Sequence, residues 1–394
     1  MVRIYSLGSW QKYMVVYQHI VLRIHQKTRL CTDQFLETNW ESTAKQHLQI
    51  VPCRTNSFFL KEISVCKQEL KKAGKDPWTF IGRSVDLYEC IKFWGGYDNT
   101  AIRFLNKTNH PLVIKADNLA SGKGVYICKN LDESIIAVNE IFDGKFGIAK
   151  NILIEEFLKG EEMSFFIISD GISYKLFGTA QDHKRVFEGD KGKNTGGMGA
   201  YSPSRLENQN LNNKIIKKII EPTLKGLKEN NIYYKGFLYA GLMISKGEPY
   251  LIEYNIRMGD PECQVLMMRL KTDLVNIIDF ATTDKLEKIK IKWHEENSIT
   301  IVLCAKGYPG NYLKNSEIKN LNKININEFN QIFHAGTYEK NNKIFSMGGR
   351  VLNITSKGSN LKDARDMSLR NLKKINWEDG FYRKDIGWRA IKEK

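Results

Sequence analysis

The stretch YLIEYNIRMGDPE, residues 250–262, alternates polar and apolar side chains up to a turn. Side chains two apart in a strand point the same way, so Glu253, Asn255 and Arg257 are expected on one face. A carboxylate and an amide oxygen there suit a hard divalent cation, Mg2+ or Mn2+, which binds oxygen and bridges to substrate phosphates. Arg257 beside them can hold a carboxylate or phosphate through paired hydrogen bonds. The GDPE that follows reads as the start of a long helix, with Asp260 as N-cap and Pro261 in the first turn. Such a terminus attracts anions. The plain alternative is a strand with a solvated polar face.

Three further segments carry residues of the right types. In VIKADNLASGKGV, Lys115 ends a strand and Lys123 sits in a Ser-Gly-Lys-Gly turn between Gly122 and Gly124. Small residues let backbone N–H groups face phosphate oxygens while the lysines add positive charge. The GxxxxGK[ST] spacing is absent, so this is no Walker A loop; a glycine-rich hairpin with two solvated lysines is the simpler reading. ILIEEFLKGEEMSFF is either an edge strand with exposed carboxylates or a link between two sheets. In the second case the backbone of Glu155, Glu156, Phe157 and Leu158 would read an adenine edge, and Glu161 or Glu162 would take ribose hydroxyls.

In QDHKRVFEGDKGKNTGGMGAYSP, Asp182, His183, Lys184 and Arg185 leave a strand, and five glycines follow between Gly189 and Gly199. Glycine costs backbone entropy, so the cluster is either a flexible surface loop or a backbone that must come close to phosphates or an acyl group. His183 is the natural acid–base suspect, although a single histidine at a charged strand end is more often structural. No Ser-His-Asp arrangement and no HExxH pattern is present, and nothing argues for hydrolase chemistry.

The elements that must position these groups follow from periodicity. HPLVIKADN and GVYIC read as two strands, LDESIIAVNEIF as a helix, and NILIEEFL, EMSFFIISDG and SYKLFGTAQD as three strands of one antiparallel set. NNKIIKKIIEPTLKGLKEN is an amphipathic helix with an internal proline. GFLYAGLMIS and PYLIEYNIR pair around Gly247, and DPECQVLMMRLKTDLVNIIDFAT reads as one long helix. The tail adds the strand SITIVLCAKG, a hairpin around Asn341–Asn342 and the helix NLKDARDMSLRNLKKI. Strands and helices in this order mean α+β subdomains, not one doubly wound sheet.

Composition narrows the class. With 394 residues, 42% of them hydrophobic and 26% charged, the chain is globular and long enough for two or three domains. The net charge of +16 comes from lysines spread along the chain beside Asn and Ile. There is no RNA-binding aromatic motif, finger or basic zipper helix, so nucleic acid is not an expected partner, and anionic phosphorylated substrates would use part of the charge. No apolar run reaches about 18 residues, so no membrane partner is expected, and the start is too polar for a secretory leader. Seven scattered cysteines without a CxxC fit free thiols in a reducing cytoplasm better than a disulfide framework or zinc site. The first hundred residues differ from the rest, with three Asn against thirteen in 301–394.

Taken in order, VIKADNLASGKGV, IEEFLKGEEMSFF, QDHKRVFEGDKGKNTGGMGAYSP and IEYNIRMGDPECQ resemble the ATP-grasp ligases, and within them the phosphoribosylamine–glycine ligase family. GYPGNY, FHAGT, GGRVLNIT and FYRKDIGWRA in the tail match too, so the resemblance covers about residues 100–394. It implies a multidomain α+β and α/β chain. Residues 1–100 would be an atypical region in place of a Rossmann-like domain. An ATP-grasp domain would span 101–295, with a small lid subdomain at about 111–175 and a larger one at about 176–295, and a C-terminal domain of hairpins and a helix would span 296–394. The resemblance implies ATP-dependent joining of glycine to 5-phosphoribosylamine through an acyl phosphate, by a cytoplasmic monomer acting on small molecules. ATP would meet Lys115, Gly122, Lys123, Gly124, Glu155, Glu156, Phe157, Leu158 and Glu162. Lys123, Asp182, Lys184 and Arg257 would act at the reacting groups, and Glu253 and Asn255 would hold the metal. Asn194, Thr195, Gly196, Gly197, Met198, Gly199, Arg257, Gly259, Asp260 and Pro261 would face the other substrates. The start keeps LGS and then departs from the family, which a reading-frame shift or divergence would explain, and Asn118 and Ser121 replace the usual Gly and Ala of the lid. The alternatives are an impaired relic that binds ATP, another ATP-grasp carboxylate–amine ligase, and, least favoured, a basic nucleic-acid binder.

Overall fold

The computed structural model describes residues 89–92, 99–117, 124–147, 149 and 151–392. The expectation for 1–100 falls almost entirely outside the described residues, as do Asn118, Ser121, Gly122 and Lys123. β1 (Glu89–Lys92), β2 (Leu112–Ala116), β3 (Val125–Cys128) and β4 (Asn151–Glu156) make an antiparallel sheet in the order β1-β4-β2-β3. Helix α1 (Asn99–Leu105) precedes β2. Helix α2 (Leu131–Phe142) begins where Asn130 accepts a hydrogen bond from the Glu133 N–H, satisfying an orphan end donor. Its Ala137, Val138 and Ile141 share a core with Leu112, Ile114, Ile152 and Ile154. Alternation then gives the opposite face to Val113, Lys115, Leu153 and Glu155, and the register pairs Val113 with Glu155 and Lys115 with Leu153.

The chain continues through β5 (Glu161–Asp170), β6 (Tyr174–Asp182), β7 (Arg185–Phe187), β8 (Lys191–Asn194) and β9 (Gly199–Ser202). Helices α3 (Gln209–Ile215) and α4 (Glu221–Glu229) follow, then β10 (Lys235–Ser245) and β11 (Glu248–Asn255). After α5 (Glu262–Arg269) and α6 (Leu274–Thr282) come β12 (Asn297–Ala305), β13 (Glu317–Ile318), β14 (Asn330–His334), β15 (Thr337–Lys340), β16 (Lys343–Ser346) and β17 (Arg350–Gly358). Helix α7 (Leu361–Leu372), β18 (Gly380–Phe381) and α8 (Trp388–Lys392) close the chain.

Nine of these strands form one sheet, β11-β10-β5-β6-β9-β12-β17-β14, with β18 paired to β12. β5 is buried on both faces, so its FFII shows no alternation. Phe165 and Ile167 pack with Leu211 and Ile215 of α3, while Phe166 and Ile168 pack with Val265, Leu266 and Ile277 of α5 and α6. At the far end Ile299, Ile301 and Ile354 share a core with Leu361 and Ala364 of α7. Two hairpins turn as expected, on left-handed Lys246 and Gly247 and on left-handed Asn341 and Asn342.

Several expectations give way. NILIEEFL does not join the other two strands: β4 belongs to the small sheet and β5 to the large one. Between them a Cβ at Gly160 would lie 2.2 Å from the Ile244 carbonyl oxygen, so the crossing leaves no room for a side chain. The long helix is two, because Leu270 bridges to Trp293 and Asp273 starts a new helix by accepting from the Asn276 N–H. The helix with the internal proline widens into a π turn at Ile216–Ile220 ahead of Pro222, where a proline lacks its N–H and crowds the preceding turn. No helix among the described residues is long and apolar enough to cross a membrane.

Candidate active site

Four neighbouring strands of the large sheet line a cleft. β5 offers Glu162 and Ser164, β6 and its exit offer Asp182 and Lys184, β10 offers Tyr239, and β11 offers Glu253. These residues share a face through the period of two and the register that sets Gly241 opposite both Ser164 and Glu253. Lys184 forms an ion pair with Glu162. Burial works against the Glu162 charge, but Lys184, Lys115 and Arg185 outweigh it and hold that carboxyl below its usual range. Burial likewise opposes charge on Lys184, yet Glu162, Asp182, Tyr239 and Glu253 keep its pKa well above the ordinary lysine value. Asp182 goes the other way. Burial, opposed by Lys184 and reinforced by Glu262 and Glu162, pushes it up to about 8, so it carries a proton at neutral pH.

The small sheet adds the second lysine. Lys115 Nζ lies 2.5 Å from a Glu155 oxygen, both side chains nearly buried. Burial, countered by Lys115 and reinforced by the Glu253 charge, raises the Glu155 pKa, which puts the outer face of β2 and β4 within electrostatic reach of β11. Gly124 closes the β2–β3 turn by accepting from the Ala116 N–H at 2.8 Å. Glu156 is exposed, and Phe157 and Leu158 are half-buried in the link to β5. Of the two readings for this segment, the link between sheets is the one present.

Glu253 and Asn255 do share a face, the Asn255 Nδ2 donating to Glu253 Oε1 at 3.2 Å. That leaves Glu253 Oε2 and the Asn255 amide oxygen as hard donors. Among the described residues no cluster of three or more His, Cys, Asp or Glu side chains forms a metal cage. The pair therefore fits a cation that takes its other ligands from phosphate and water, as Mg2+ does. Arg257 lies past the end of the strand: β11 ends at Asn255, and the exposed Arg257 donates to the Met258 carbonyl at 2.9 Å.

The glycine stretch is explained by packing. The Thr195 N–H and hydroxyl both reach the Lys184 carbonyl, and Asn194 ends β8 opposite Arg185. Gly197, at φ +111°, would place a Cβ 2.5 Å from Pro261 Cδ. Met198 lies in the interior. Its side chain is fully buried against Cys304, and its N–H and carbonyl are taken by His183 and Val302. Gly199 is likewise consumed, paired with Ile301 in the sheet and bonded to the His183 N–H.

The GDPE loop differs from its expected cap. α5 begins at Glu262, and Asp260 instead bonds Arg350 at 2.9 Å and Gln264 at 3.2 Å. A Cβ at Gly259 would lie 2.4 Å from a Glu262 carboxylate oxygen. Glu262 itself, 3% exposed, was not singled out in the sequence. Its Oε1 accepts from the Tyr239 hydroxyl at 3.0 Å and lies 3.0 Å from Ser164 Oγ beneath the cleft. Strand alternation from Glu162 would have found Ser164; nothing local marks Tyr239. His183 takes the structural reading: Nε2 accepts from the Gly387 N–H at 2.9 Å, and burial pushes its pKa down.

Comparison with known proteins points to one family. The sequence profile "Phosphoribosylglycinamide synthetase, ATP-grasp (A) domain" matches residues 96–263, and "Phosphoribosylglycinamide synthetase, C domain" matches 298–389. The chain is 45% identical over 301 residues to a phosphoribosylamine–glycine ligase of Brucella melitensis, covering 76% of this chain and 70% of that one. It is 48% identical over 282 residues to that of Agrobacterium fabrum, covering 71% and 66%. It thus spans about two thirds of the length of these curated relatives. The crystal structure of the Thermotoga maritima phosphoribosylamine–glycine ligase superposes with a TM-score of 0.68 at 31% identity, over 82% of this chain and 79% of that one. A biotin carboxylase domain of Hydrogenobacter thermophilus, crystallised with MgADP, ADP and bicarbonate, shares the fold at 17% identity and a TM-score of 0.55, over 80% and 66%.

Proposed function

We propose that this chain, which belongs to the phosphoribosylglycinamide synthetase family, joins glycine to 5-phosphoribosylamine with cleavage of ATP to ADP and phosphate. The glycine carboxylate takes the γ-phosphoryl group as the bond to ADP breaks. The ribosylamine nitrogen then attacks the acyl carbon, loses a proton and displaces phosphate. Such a transfer needs little from the protein except positioning and charge.

The observation that carries this reading is the charge array. Lys115 and Lys184 reach from two different sheets toward Glu155, Glu162, Asp182 and Glu253, and two cationic side chains can clamp a triphosphate between them. In this reading Lys115 and Lys184 hold phosphate oxygens. The backbone of Glu155–Leu158 meets the base where the chain passes between sheets, and Glu162 serves the ribose. Protonated Asp182 keeps the base of the cleft uncharged beside Lys184. Glu253 and Asn255 hold a divalent ion, Mg2+ or Mn2+, which supplies charge neutralisation at the phosphates when bound. Asn194–Gly197 and Gly259–Pro261 face the glycine and amine side, with Arg257 as an anionic-group anchor. Gly122 and Lys123 serve ATP in this reading, and excluding water protects the acyl phosphate. We divide the chain into an ATP-grasp domain over 101–295 and a C-terminal domain over 296–394.

The test is ADP release from Mg-ATP and glycine, with and without 5-phosphoribosylamine generated in situ. Release that depends on the amine and disappears in Glu253→Ala supports the reaction; amine-independent release, or none, rejects it.

A further inference from the structure

Arg350, at the start of β17, makes three hydrogen bonds to two loops distant in sequence. Nη1 donates to the Gly196 carbonyl at 2.6 Å and to the Asp260 carbonyl at 2.7 Å, and Nη2 donates to Asp260 Oδ2 at 2.9 Å. The other end of Gly196 is held from the same domain, its N–H donating to the Tyr308 hydroxyl at 3.0 Å. The fit is tight, since a Cβ on Gly196 would stand 2.9 Å from Arg350 Cζ. Below it Gly197 rests on Pro261, and Gln264 holds the second Asp260 oxygen at 3.2 Å.

We propose that Arg350 is a positioning residue that sets the spacing between the Thr195–Gly197 wall and the Gly259–Pro261 loop, and with it the gap that receives glycine. The proposal rests on the reaction above for its kinetic arm only. A planar guanidinium can bond three oxygens in fixed directions, which an ammonium cannot reproduce. In the reading above both loops face glycine and the amine, whereas the base and ribose groups come from β4, the link that follows it and β5. Loosening the clamp therefore acts on glycine more than on nucleotide. A misplacement of roughly 1 Å is enough to cost about a hundredfold in rate.

The experiment compares Arg350→Met, Arg350→Lys and Tyr308→Phe with the unaltered protein, by amide hydrogen exchange and by steady-state kinetics. Arg350→Met is expected to speed exchange in peptides covering 195–199 and 259–263 and leave α2 and β5 unchanged. The KM for glycine should rise about tenfold or more, the KM for ATP should stay within about twofold, and Lys should not rescue. Tyr308→Phe, which removes only the hydroxyl, should loosen 195–199 and not 259–263. Unchanged exchange in both loops overturns the proposal. So does loosening throughout the protein, or an equal rise in both KM values, because either marks a general structural role. An unaltered protein without glycine-dependent turnover rejects the proposed reaction, and the exchange data then decide the role of Arg350 by themselves.

Discussion

Lys115 and Glu155 form a nearly buried ion pair, 2.5 Å apart, on the small-sheet face that carries no helix-facing core residue. They sit diagonally, since Val113 is the direct partner of Glu155, and diagonal neighbours stay within reach of long side chains. Lys115→Met strands a carboxyl that burial and Glu253 already favour in its protonated form. Removing one partner of a buried pair costs about 3–5 kcal/mol, and the ATP site loses a cation as well. ATP affinity measured by calorimetry should fall at least about tenfold. An affinity within about twofold of the unaltered protein would remove Lys115 from the nucleotide site.

Glu253→Gln keeps the size of the side chain and removes its charge. If Glu253 is the carboxylate of a two-donor cation site with Asn255, the variant should lose the dependence of nucleotide affinity on Mg2+ and keep affinity measured in EDTA. ADP formation should drop about a hundredfold. Nucleotide titrations with and without the metal read this directly, and an unchanged metal dependence would move the cation elsewhere.

What was legible in the sequence was local. Alternation found Glu253 and Asn255, and the Asn341–Asn342 turn needed two left-handed residues that Asn tolerates. What was not legible depended on distant partners. β4 joins β2 some forty residues back, which no feature of NILIEEFL announces. The break after Arg269 depends on Leu270 meeting Trp293. Of the five glycines, Gly196, Gly197 and Gly199 are closely approached by Arg350, Pro261, Thr300 and Ile386 from far along the chain, while Gly189 and Gly192 meet only their neighbours Lys191, Phe187 and Val186. Arg350 itself lay inside a quoted motif without a role, because its contacts fall 154 and 90 residues away.

Asp182 sets a pH dependence with a definite sign. Its folded pKa of about 8 stands above the unfolded value near 4. Between those values the folded protein holds a proton that the unfolded chain has lost, so this group makes stability fall as pH rises, and its contribution levels off above about 8. The slope from one such group is at most about 1.4 kcal/mol per pH unit. Asp182→Asn keeps a neutral, similarly shaped side chain and should lose that slope. Urea midpoints at pH 5.5 and pH 8 should differ less in the variant than in the unaltered protein. Equal differences would show that Asp182 is ionised at neutral pH.

Asp190 joins the C-terminal segment to the start of the glycine stretch. It bonds Arg383 at 3.0 Å and Arg389 at 2.7 Å, lies 3.3 Å from the Trp388 indole nitrogen and faces His183 Nδ1 at 3.5 Å. Arg383 is 1% exposed and also binds Asp385 and the Arg185 carbonyl. Asp190→Ala removes charged hydrogen bonds to Arg383 and Arg389 while Asp385 still pairs with Arg383, which should cost about 1.5–3 kcal/mol. The Lys362–Asp366 pair on α7 is 2.9 Å long but largely exposed, and exposed pairs contribute about 0.2–1 kcal/mol. Urea denaturation of Asp190→Ala and Asp366→Ala should therefore separate them clearly, with only the first losing a large part of its stability. Two equal and small losses would mean that the segment from Arg383 to Arg389 is held by its apolar contacts, chiefly Ile386 against Gly199, and that the charge network adds little.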